Sequence, residues 1–415
     1  MLSAATLDLF QDFPFIGLLI VELIFCFYCT SLFKSRWAFL IFLYPFSTRF
    51  LYIFFSVKYL DLGDGPAYIN TIKYHLPFYN NDQTLDSVIL AISQTGYNYI
   101  SFPFVPNILI PDFFFNNPSD QDYYSWQYCF NLILVSVNIT LMKKWLAFPE
   151  PYLLSILLFS TISPSFLEYG YAPTRHFFTF FSVLLFFITF HALLKQYTIA
   201  RILFLLIAII SIIFSKLGYF IPIIIYVLFI FRDNIKKIYL LIVGLSILPF
   251  SPFIINSIFN YINNYEGTSK IGVKSTGYLT DIPILGYFFK YIFAILSPFP
   301  WSKADFLVSE IYGDNSLFFL CHIFSAITGL YFFIRLITHF KKLNIYDPQL
   351  GSLLVFGLIM STSIIAGATG FHTYLVIFYP FFAPLLVVKK YDVSLVIPIL
   401  IPIFAELILY FLVRG

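Results

Sequence analysis

Long apolar runs recur along the whole chain, and they constrain its fold more than any other feature of the sequence. Many of them are close to the roughly 20 residues that a helix needs to cross the hydrocarbon core of a bilayer. The runs are continuous, whereas membrane β-barrel strands alternate apolar and polar residues. The sequence therefore predicts an all-α polytopic membrane protein, a single integral membrane domain over residues 1–415 with about twelve transmembrane helices. The predicted spans are residues 13–33, 37–57, 123–142, 151–167, 177–194, 201–215, 219–231, 238–257, 316–337, 350–368, 373–388 and 393–412.

Composition agrees with this class. Hydrophobic residues make up 60% of the chain, aromatic residues 22% and charged residues 11%, a balance unlike that of soluble domains. The net charge of +3 is too small to indicate a nucleic-acid partner. Cys26 and Cys29 have the spacing of zinc and redox sites, but they lie in a predicted span without a second ligand pair. We therefore expect no bound metal and no cofactor.

The positions of lysine and arginine predict the orientation of the spans. Every second connecting loop is short and carries at least two cations, and such loops stay on the cytoplasmic side. Both termini then lie on the outer side of the membrane. The cationic pairs and triplets are Lys34/Arg36, Lys143/Lys144, Lys195/Arg201, Arg232/Lys236/Lys237, Lys341/Lys342 and Lys389/Lys390.

Two long loops are predicted on the outer side, at residues 58–122 and 258–315. The first is acidic, with seven aspartates and two lysines. The second contains the apolar stretch 283–300, and a full crossing there would invert the cations of all later loops. We expect instead a re-entrant or interfacial helix, broken at Pro298 and Pro300. A transporter needs both faces of the membrane, so long loops on one face favour an enzyme that acts there.

Glu22 and Arg49 are charged residues within the first two predicted spans. At about 1.5 Å of rise per residue, both lie roughly 12–14 Å below the outer surface. A structural ion pair between them would neutralise two costly intramembrane charges. Alternatively, Arg49 forms part of an anion-binding site that is reached from outside.

The short segment from Glu168 to His176 is a charged, aromatic turn between two apolar runs. Arg175 is suited to binding a diphosphate, because its guanidinium binds phosphate oxygens in pairs and stays charged. His176 or Glu168 can transfer a proton. We expect Arg175 and His176 to precede the helix over 177–194, whose free N–H groups also favour an anion. The alternative is an ordinary cation at a helix end, with its charge at the membrane surface.

A second candidate opens the first long loop, where Gly63, Gly65 and Pro66 predict a tight turn around Asp64. An aspartate held near the membrane surface can act as a general base on a sugar hydroxyl, or hold that hydroxyl in place. The alternative is a solvated aspartate that caps the following helix. Lys58 and Tyr68 flank this turn.

Further outward candidates are scattered along the chain. Trp301 follows a proline-rich break and can stack on a sugar ring, although anchoring at the interface is the common use of such a residue. Lys216, Lys290, His372 and Tyr374 also fall on the predicted outer side. The sequence contains no P-loop, no GxSxG and no HExxH motif.

These residues resemble motifs of the bacterial Wzy-type oligosaccharide repeat-unit polymerases, in particular the EpsG-like branch. That branch pairs an outward Gly-Thr-Asp-Tyr-x-x-Tyr motif with a later arginine that opens a membrane helix. The run Gly63–Tyr68 keeps the aspartate and one tyrosine, and Arg175 is similar to the helix-opening arginine. The run Ser297–Trp301 is similar to a late Ser-Pro-x-Pro-Trp run. The arginine expected just before the first motif is replaced by Lys58 or displaced to Arg49.

The resemblance covers most of the chain in topology and three short motifs in sequence, and it implies a glycosyltransferase of GT-C-like architecture. Such an enzyme works at the periplasmic face of the bacterial inner membrane, in O-antigen or lipopolysaccharide biosynthesis. It transfers a growing glycan from undecaprenyl diphosphate to a hydroxyl of the next lipid-linked unit. Donor and acceptor lipids and the bilayer are then its partners. The sequence leaves open whether a chain-length regulator protein binds.

The resemblance also implies roles for the candidate residues. Arg175 would bind the departing diphosphate, supported by Lys216 and Arg49, and no metal is needed if these cations neutralise it. Asp64 would activate the acceptor hydroxyl, with His176 or His372 as alternatives. Two other functions stay open: another periplasmic-face glycosyltransferase or an O-antigen ligase, and a flippase or transporter of lipid-linked oligosaccharides.

Overall fold

A computed structural model of the protein describes residues 13–47, 120–163, 175–216, 219–232, 327–338, 347, 349–367 and 377–388. All regular structure in these ranges is helical, and none of these residues lies in a β-strand. The predicted all-α class is confirmed to this extent, whereas the number of twelve spans stays a prediction.

The α-helices of the described ranges follow the order of the predicted spans. They are α1 (Phe13–Ser31), α2 (Asp120–Leu141), α3 (Glu150–Phe159), α4 (Arg175–Lys195), α5 (Ile199–Lys216), α6 (Phe220–Phe231), α7 (Ile327–Thr338), α8 (Leu350–Gly367) and α9 (Tyr379–Phe382). The short segments Arg36–Phe42 and Ala383–Leu386 are 3-10 helices, and Met142–Leu146 is a π-helix.

Within the described ranges, two stretches are long and apolar enough to cross a membrane. They are Cys129–Leu146, which runs through α2 into the π-helix, and Phe178–Lys195 in α4. Shorter apolar stretches lie within α1, at Gly17–Ser31, and within α5, at Ile199–Ile212. Length and composition therefore support a helical protein with membrane-compatible segments.

The second predicted span, 37–57, does not begin as an α-helix. Ser35 caps a 3-10 helix, because its hydroxyl accepts a hydrogen bond from the N–H of Trp37 at 3.2 Å. Pro45 has no N–H with which to bond the carbonyl of Ile41, four residues earlier. The Cys26 thiol of α1 donates to that carbonyl at 3.3 Å. This contact ties the first two apolar segments together.

The fourth predicted span, 151–167, is also interrupted. Helix α3 ends at Phe159 after 10 residues, a length of about 15 Å and half of a bilayer core. The Ser160 hydroxyl bonds the Ile156 carbonyl at 2.8 Å, and the Thr161 hydroxyl bonds that of Leu157 at 2.7 Å. A proline follows Ser163 and disfavours helical backbone there. The apolar pattern alone overestimated this helix.

The last described segment breaks in a similar way. Of the predicted span 373–388, the structure describes residues 377–388. There the four-residue α9 gives way to the 3-10 helix Ala383–Leu386, which has a proline in its first turn. The fixed backbone angle of proline suits a helix start and not a helix interior, so this part is not one continuous α-helix.

Contacts between Cα atoms divide the chain into two compact units. The first contains α1 to α5 and α9. In it α1, α2 and α4 run parallel: the Tyr28 hydroxyl meets that of Thr140 at 2.7 Å, and Phe130 stacks on Phe178 at 6.3 Å. Helix α5 returns beside α4, and α3 packs against α9 and the following 3-10 helix.

The second unit contains α6, most of α7 and most of α8. Its described core is aromatic. The ring of Tyr226 lies edge-on to Phe356 at 4.7 Å, and the ring of Tyr219 lies 6.1 Å from Phe378. All four side chains are buried.

Several helices expose their apolar residues and bury their polar ones. On α1, Ile24 and Phe27 are 62% and 65% exposed, whereas Glu22 is 0% exposed. Helix α5 exposes an aliphatic row, and α6 exposes Ile221, Ile224 and Ile225. Exposed apolar faces of this extent are uncommon on soluble monomers. The members of the α5 row are Ile199, Ile202, Leu203, Leu206, Ile207 and Ile210.

Candidate functional site

The structure describes the backbone of three predicted site residues. Arg175 and His176 are the first two residues of α4, and Lys216 is the last residue of α5. The other predicted site residues lie outside the described residues. They are Arg49, Lys58, Asp64, Tyr68, Glu168, Lys290, Trp301, His372 and Tyr374.

Helix α4 begins two residues earlier than the predicted span 177–194. Arg175 and His176 therefore belong to its first turn and do not precede it. The first four N–H groups of a helix have no partner within the helix, and the helix dipole places partial positive charge there. Arg175 thus adds a full positive charge to the end of the helix that already attracts anions.

Below its first turn, α4 carries polar side chains that are buried. Thr179 is 1% exposed, Ser182 5% and Thr189 0%. The hydroxyls of Ser182 and Thr189 each donate to a carbonyl one turn earlier, at 2.8 Å, which satisfies them within the helix. These hydroxyls need no ligand, and they fit a structural role in an apolar helix.

His191 lies one turn before the end of α4 and is 5% exposed. Its ring contacts those of Phe187 and Phe190, with centroids 4.6 Å and 5.6 Å away. An aromatic surrounding of this kind holds an imidazole in place. The sequence did not single out His191, because the candidates were charged residues within the predicted spans and polar residues on the predicted outer side.

Asn138 links α2 to α4. Its side-chain amide donates to the Leu134 carbonyl at 2.9 Å and to the Phe181 carbonyl of α4 at 3.4 Å. The residue is 2% exposed, and its Oδ1 has no hydrogen-bond partner among the described residues. Buried amides in apolar helices are found at helix contacts, and this rule would have identified Asn138 from the sequence.

Loops that were predicted to share the cytoplasmic side lie side by side in the first unit. The loop after α1 meets the loop after α2, since Glu150 accepts the N–H of Lys34 at 3.0 Å and lies 3.8 Å from the Lys143 ammonium. The loop after α4 meets the same loop, since the Lys195 ammonium donates to the Leu146 carbonyl at 3.1 Å.

Arg201 also contacts the end of α4 and the segment that follows α2. Its guanidinium donates to the carbonyls of Ala192 and Gln196 at 2.8 Å and 2.7 Å, and so caps the C-terminal end of α4. It also lies 5.6 Å from the ring centre of Trp145. Cations at helix C-termini are favoured by the helix dipole, and here they also hold neighbouring loops together.

No set of three or more His, Cys, Asp or Glu side chains within the described ranges is arranged to hold a metal ion. Cys26 and Cys29 are both 0% exposed and face α1's neighbours, with Cys26 bonded to Ile41 and Cys29 near Ser136. Their spacing thus reflects one buried face of α1.

Comparisons with known proteins give no relative of this chain. No protein-family model matches the sequence, and no curated protein or solved structure is significantly similar to it.

Proposed function

We propose that this chain is a multi-pass protein of the bacterial inner membrane that polymerises oligosaccharide repeat units at the periplasmic face. Its substrates are glycans linked to undecaprenyl diphosphate, and its product is a surface polysaccharide such as O-antigen. The observation that carries the chemistry is Arg175 in the first turn of the apolar helix α4. A cation at a helix N-terminus is suited to a diphosphate leaving group.

Support for membrane insertion comes from the distribution of polar and apolar surface. Ile24 and Phe27 are exposed while Glu22 and Asn138 are buried, the reverse of what water favours. In lipid this arrangement is stable, because exposed aliphatic side chains meet acyl chains and buried polar groups meet one another.

Support for the orientation comes from the meeting of the cationic loops. Loops with the cations Lys34, Lys143, Lys195 and Arg201 are adjacent at one end of the parallel helices α1, α2 and α4. If this end is cytoplasmic, as the positive-inside rule requires, Arg175 lies at the periplasmic end of α4. The lipid-linked substrates of the proposed reaction are presented on that side.

The proposed reaction is a displacement at the anomeric carbon of the donor glycan. The bond from this carbon to the diphosphate oxygen breaks, and a bond to the acceptor hydroxyl oxygen forms. Negative charge grows on the departing diphosphate, where Arg175, with Lys216 and Arg49, stabilises it. The hydroxyl proton passes to a base, for which Asp64 is the first candidate and His176 the second.

The first experiment deletes the gene in a host that makes a surface polysaccharide and resolves the glycan on a gel. Loss of a polymerase leaves single repeat units, whereas complete loss of glycan indicates a flippase or a ligase. The deletion strain then receives Arg175→Ala, for which we expect single repeat units at a normal protein level. Full-length ladders from Arg175→Ala would overturn the assignment of Arg175.

A matched control removes one cation from the other end of the same helix. Lys195→Gln has the same change in net charge and lies on α4, but its side chain bonds the Leu146 carbonyl and not a substrate. We expect ladders of normal length from this variant. Arg175→Lys tests geometry separately, since lysine keeps the charge and loses the paired hydrogen bonds.

A further inference from the structure

Six cations from three separate loops surround the cytoplasmic ends that we assign to α1, α2 and α4, and we call them the basic collar. Glu150 is the acidic side chain that contacts them among the described residues. The members of the basic collar are Lys34, Arg36, Lys143, Lys144, Lys195 and Arg201.

Direct contacts between protein groups bring the collar together. The two oxygens of the Glu150 carboxylate reach the Lys34 N–H and the Lys143 ammonium, so the first two loops share one carboxylate. The Lys143 ammonium also lies 5.8 Å from the ring centre of Phe33. The second and third loops are joined by the bond from Lys195 to Leu146. The folded chain therefore fixes a local excess of positive charge.

Half of the collar is engaged in the fold and half is available. Lys143, Lys195 and Arg201 bond to a carboxylate or to backbone carbonyls. Lys34, Arg36 and Lys144 are exposed, and none of the three forms an ion pair with an acidic side chain of the described residues. These three charges can neutralise an external anion without breaking an ion pair of the described residues.

Apolar residues next to these cations indicate where that anion resides. Trp37 is 53% exposed, Phe39 59% and Tyr197 81%, and all three are close in sequence to collar residues. The guanidinium of Arg36 lies 5.3 Å from the ring centre of Trp37. Exposed aromatic rings beside cations are typical of the membrane–water interface, where rings sit at headgroup level.

We infer that the basic collar binds the phosphate headgroups of anionic phospholipids of the inner leaflet. Charge complementarity selects an anion, and the adjoining exposed aromatic residues select a lipid over a soluble phosphate. This inference rests on the membrane insertion and orientation proposed above and not on the polymerase chemistry. Headgroup binding here would hold the cytoplasmic ends of three helices at the membrane surface.

The experiment compares thermal unfolding of the purified full-length protein in nanodiscs of phosphatidylcholine alone and with phosphatidylglycerol. The test variant carries Lys34→Gln, Arg36→Gln and Lys144→Gln. We expect phosphatidylglycerol to raise the Tm of the natural protein and to have little effect on this variant. Binding of phosphatidylglycerol should weaken about fivefold for each removed cation.

A matched control removes the same number of charges from another predicted cytoplasmic loop, with Arg232→Gln, Lys236→Gln and Lys237→Gln. It should keep the response to phosphatidylglycerol. An equal loss of response in both variants, or an unchanged response in the collar variant, would overturn the inference. A conservative variant, Lys34→Arg with Lys144→Arg, keeps the positive charges and should keep the response to phosphatidylglycerol. This result would show that the lost response of the Gln variant comes from lost charge and not from misfolding.

Two further measurements separate this inference from its alternatives. Glycerol phosphate added in solution should not reproduce the effect of the lipid, and if it does, the collar is a site for a soluble anion. Glycan ladders from the collar variant should keep their length in cells. A collar that fails this lipid test leaves the role of Arg175 intact, because the two sites lie at opposite ends of α4.

Discussion

The hydroxyls of Tyr28 and Thr140 share a hydrogen bond of 2.7 Å although 112 residues separate them in the chain. The bond joins two parallel helices, α1 and α2. The Thr140 hydroxyl also donates to the Ser136 carbonyl, one turn earlier in its own helix, at 2.6 Å.

This bond allows a direct measurement of helix–helix coupling. Tyr28→Phe and Thr140→Val each remove one hydroxyl and keep the shape of the side chain. A double-mutant cycle on unfolding in detergent should give a coupling of about 0.6 kcal/mol, the mean for such bonds between membrane helices. Additive effects of the two changes would show that the hydroxyls do not interact in the folded protein.

Glu150 should stabilise the meeting of the first two loops. Glu150→Ala removes the contacts with the Lys34 N–H and the Lys143 ammonium, as well as a negative charge in the first turn of α3. The Glu150 side chain is 28% exposed, so solvent screens its electrostatic interactions in part. We therefore expect Glu150→Ala to lower the free energy of unfolding by about 1 kcal/mol.

Glu150→Gln is the matched change for this prediction. It keeps an oxygen for the Lys34 N–H but loses the negative charge, so it should cost less than Glu150→Ala. The difference between Glu150→Gln and the natural protein should shrink at high salt. A salt-independent difference would mean that charge is not the source of the effect.

Ala147 has a left-handed backbone, with φ of 55°, where the π-helix ends. Glycine adopts this backbone without a steric cost, whereas β-branched residues strain it. Ala147→Gly should leave the Tm unchanged or raise it, and Ala147→Val should lower the free energy of unfolding by about 1–2 kcal/mol. Calorimetry in detergent measures both, and a Val variant as stable as the natural protein would contradict the prediction.

Asp64 is the first candidate for the base that activates the acceptor hydroxyl in the proposed reaction. Asp61 provides a control three residues away in the same acidic segment. Asp64→Asn removes the base and should reduce polymer formation by about 10²–10⁴. Asp61→Asn removes the same charge and should leave ladders intact. Equal losses in both variants would assign the effect to the charge of the loop and not to a base.

The sequence predicted the helical class and most helix positions, because long apolar runs indicate segments that are removed from water, whether by protein or by lipid. The starts of α1 and α6 and the end of α4 lie within one residue of the predicted spans. Cations in alternate loops predicted which loops share one side of the membrane, and this assignment stays a prediction. The loops that carry Lys34, Lys143 and Lys195 do lie side by side.

Interruptions of the spans could not be predicted in the same way. Ser160 and Thr161 continue an apolar run in the sequence. Their hydroxyls donate to carbonyls of the preceding turn, at the point where α3 ends. Hydropathy averages over such local competition. Buried amides were missed for a related reason, since Asn138 is uncharged and the search for intramembrane function followed charges only.

The parallel packing of α1 against α2 has a consequence for synthesis of the chain. Tyr28 is made 112 residues before Thr140, an interval of roughly 6–20 s at typical rates of translation. During it, α1 already has described neighbours in the residues that follow it, since Phe42 lies edge-on to Phe27 at 5.1 Å and Tyr44 lies 5.6 Å from Phe25. Until α2 has been made, the newborn chain therefore depends on these contacts between its first two apolar segments.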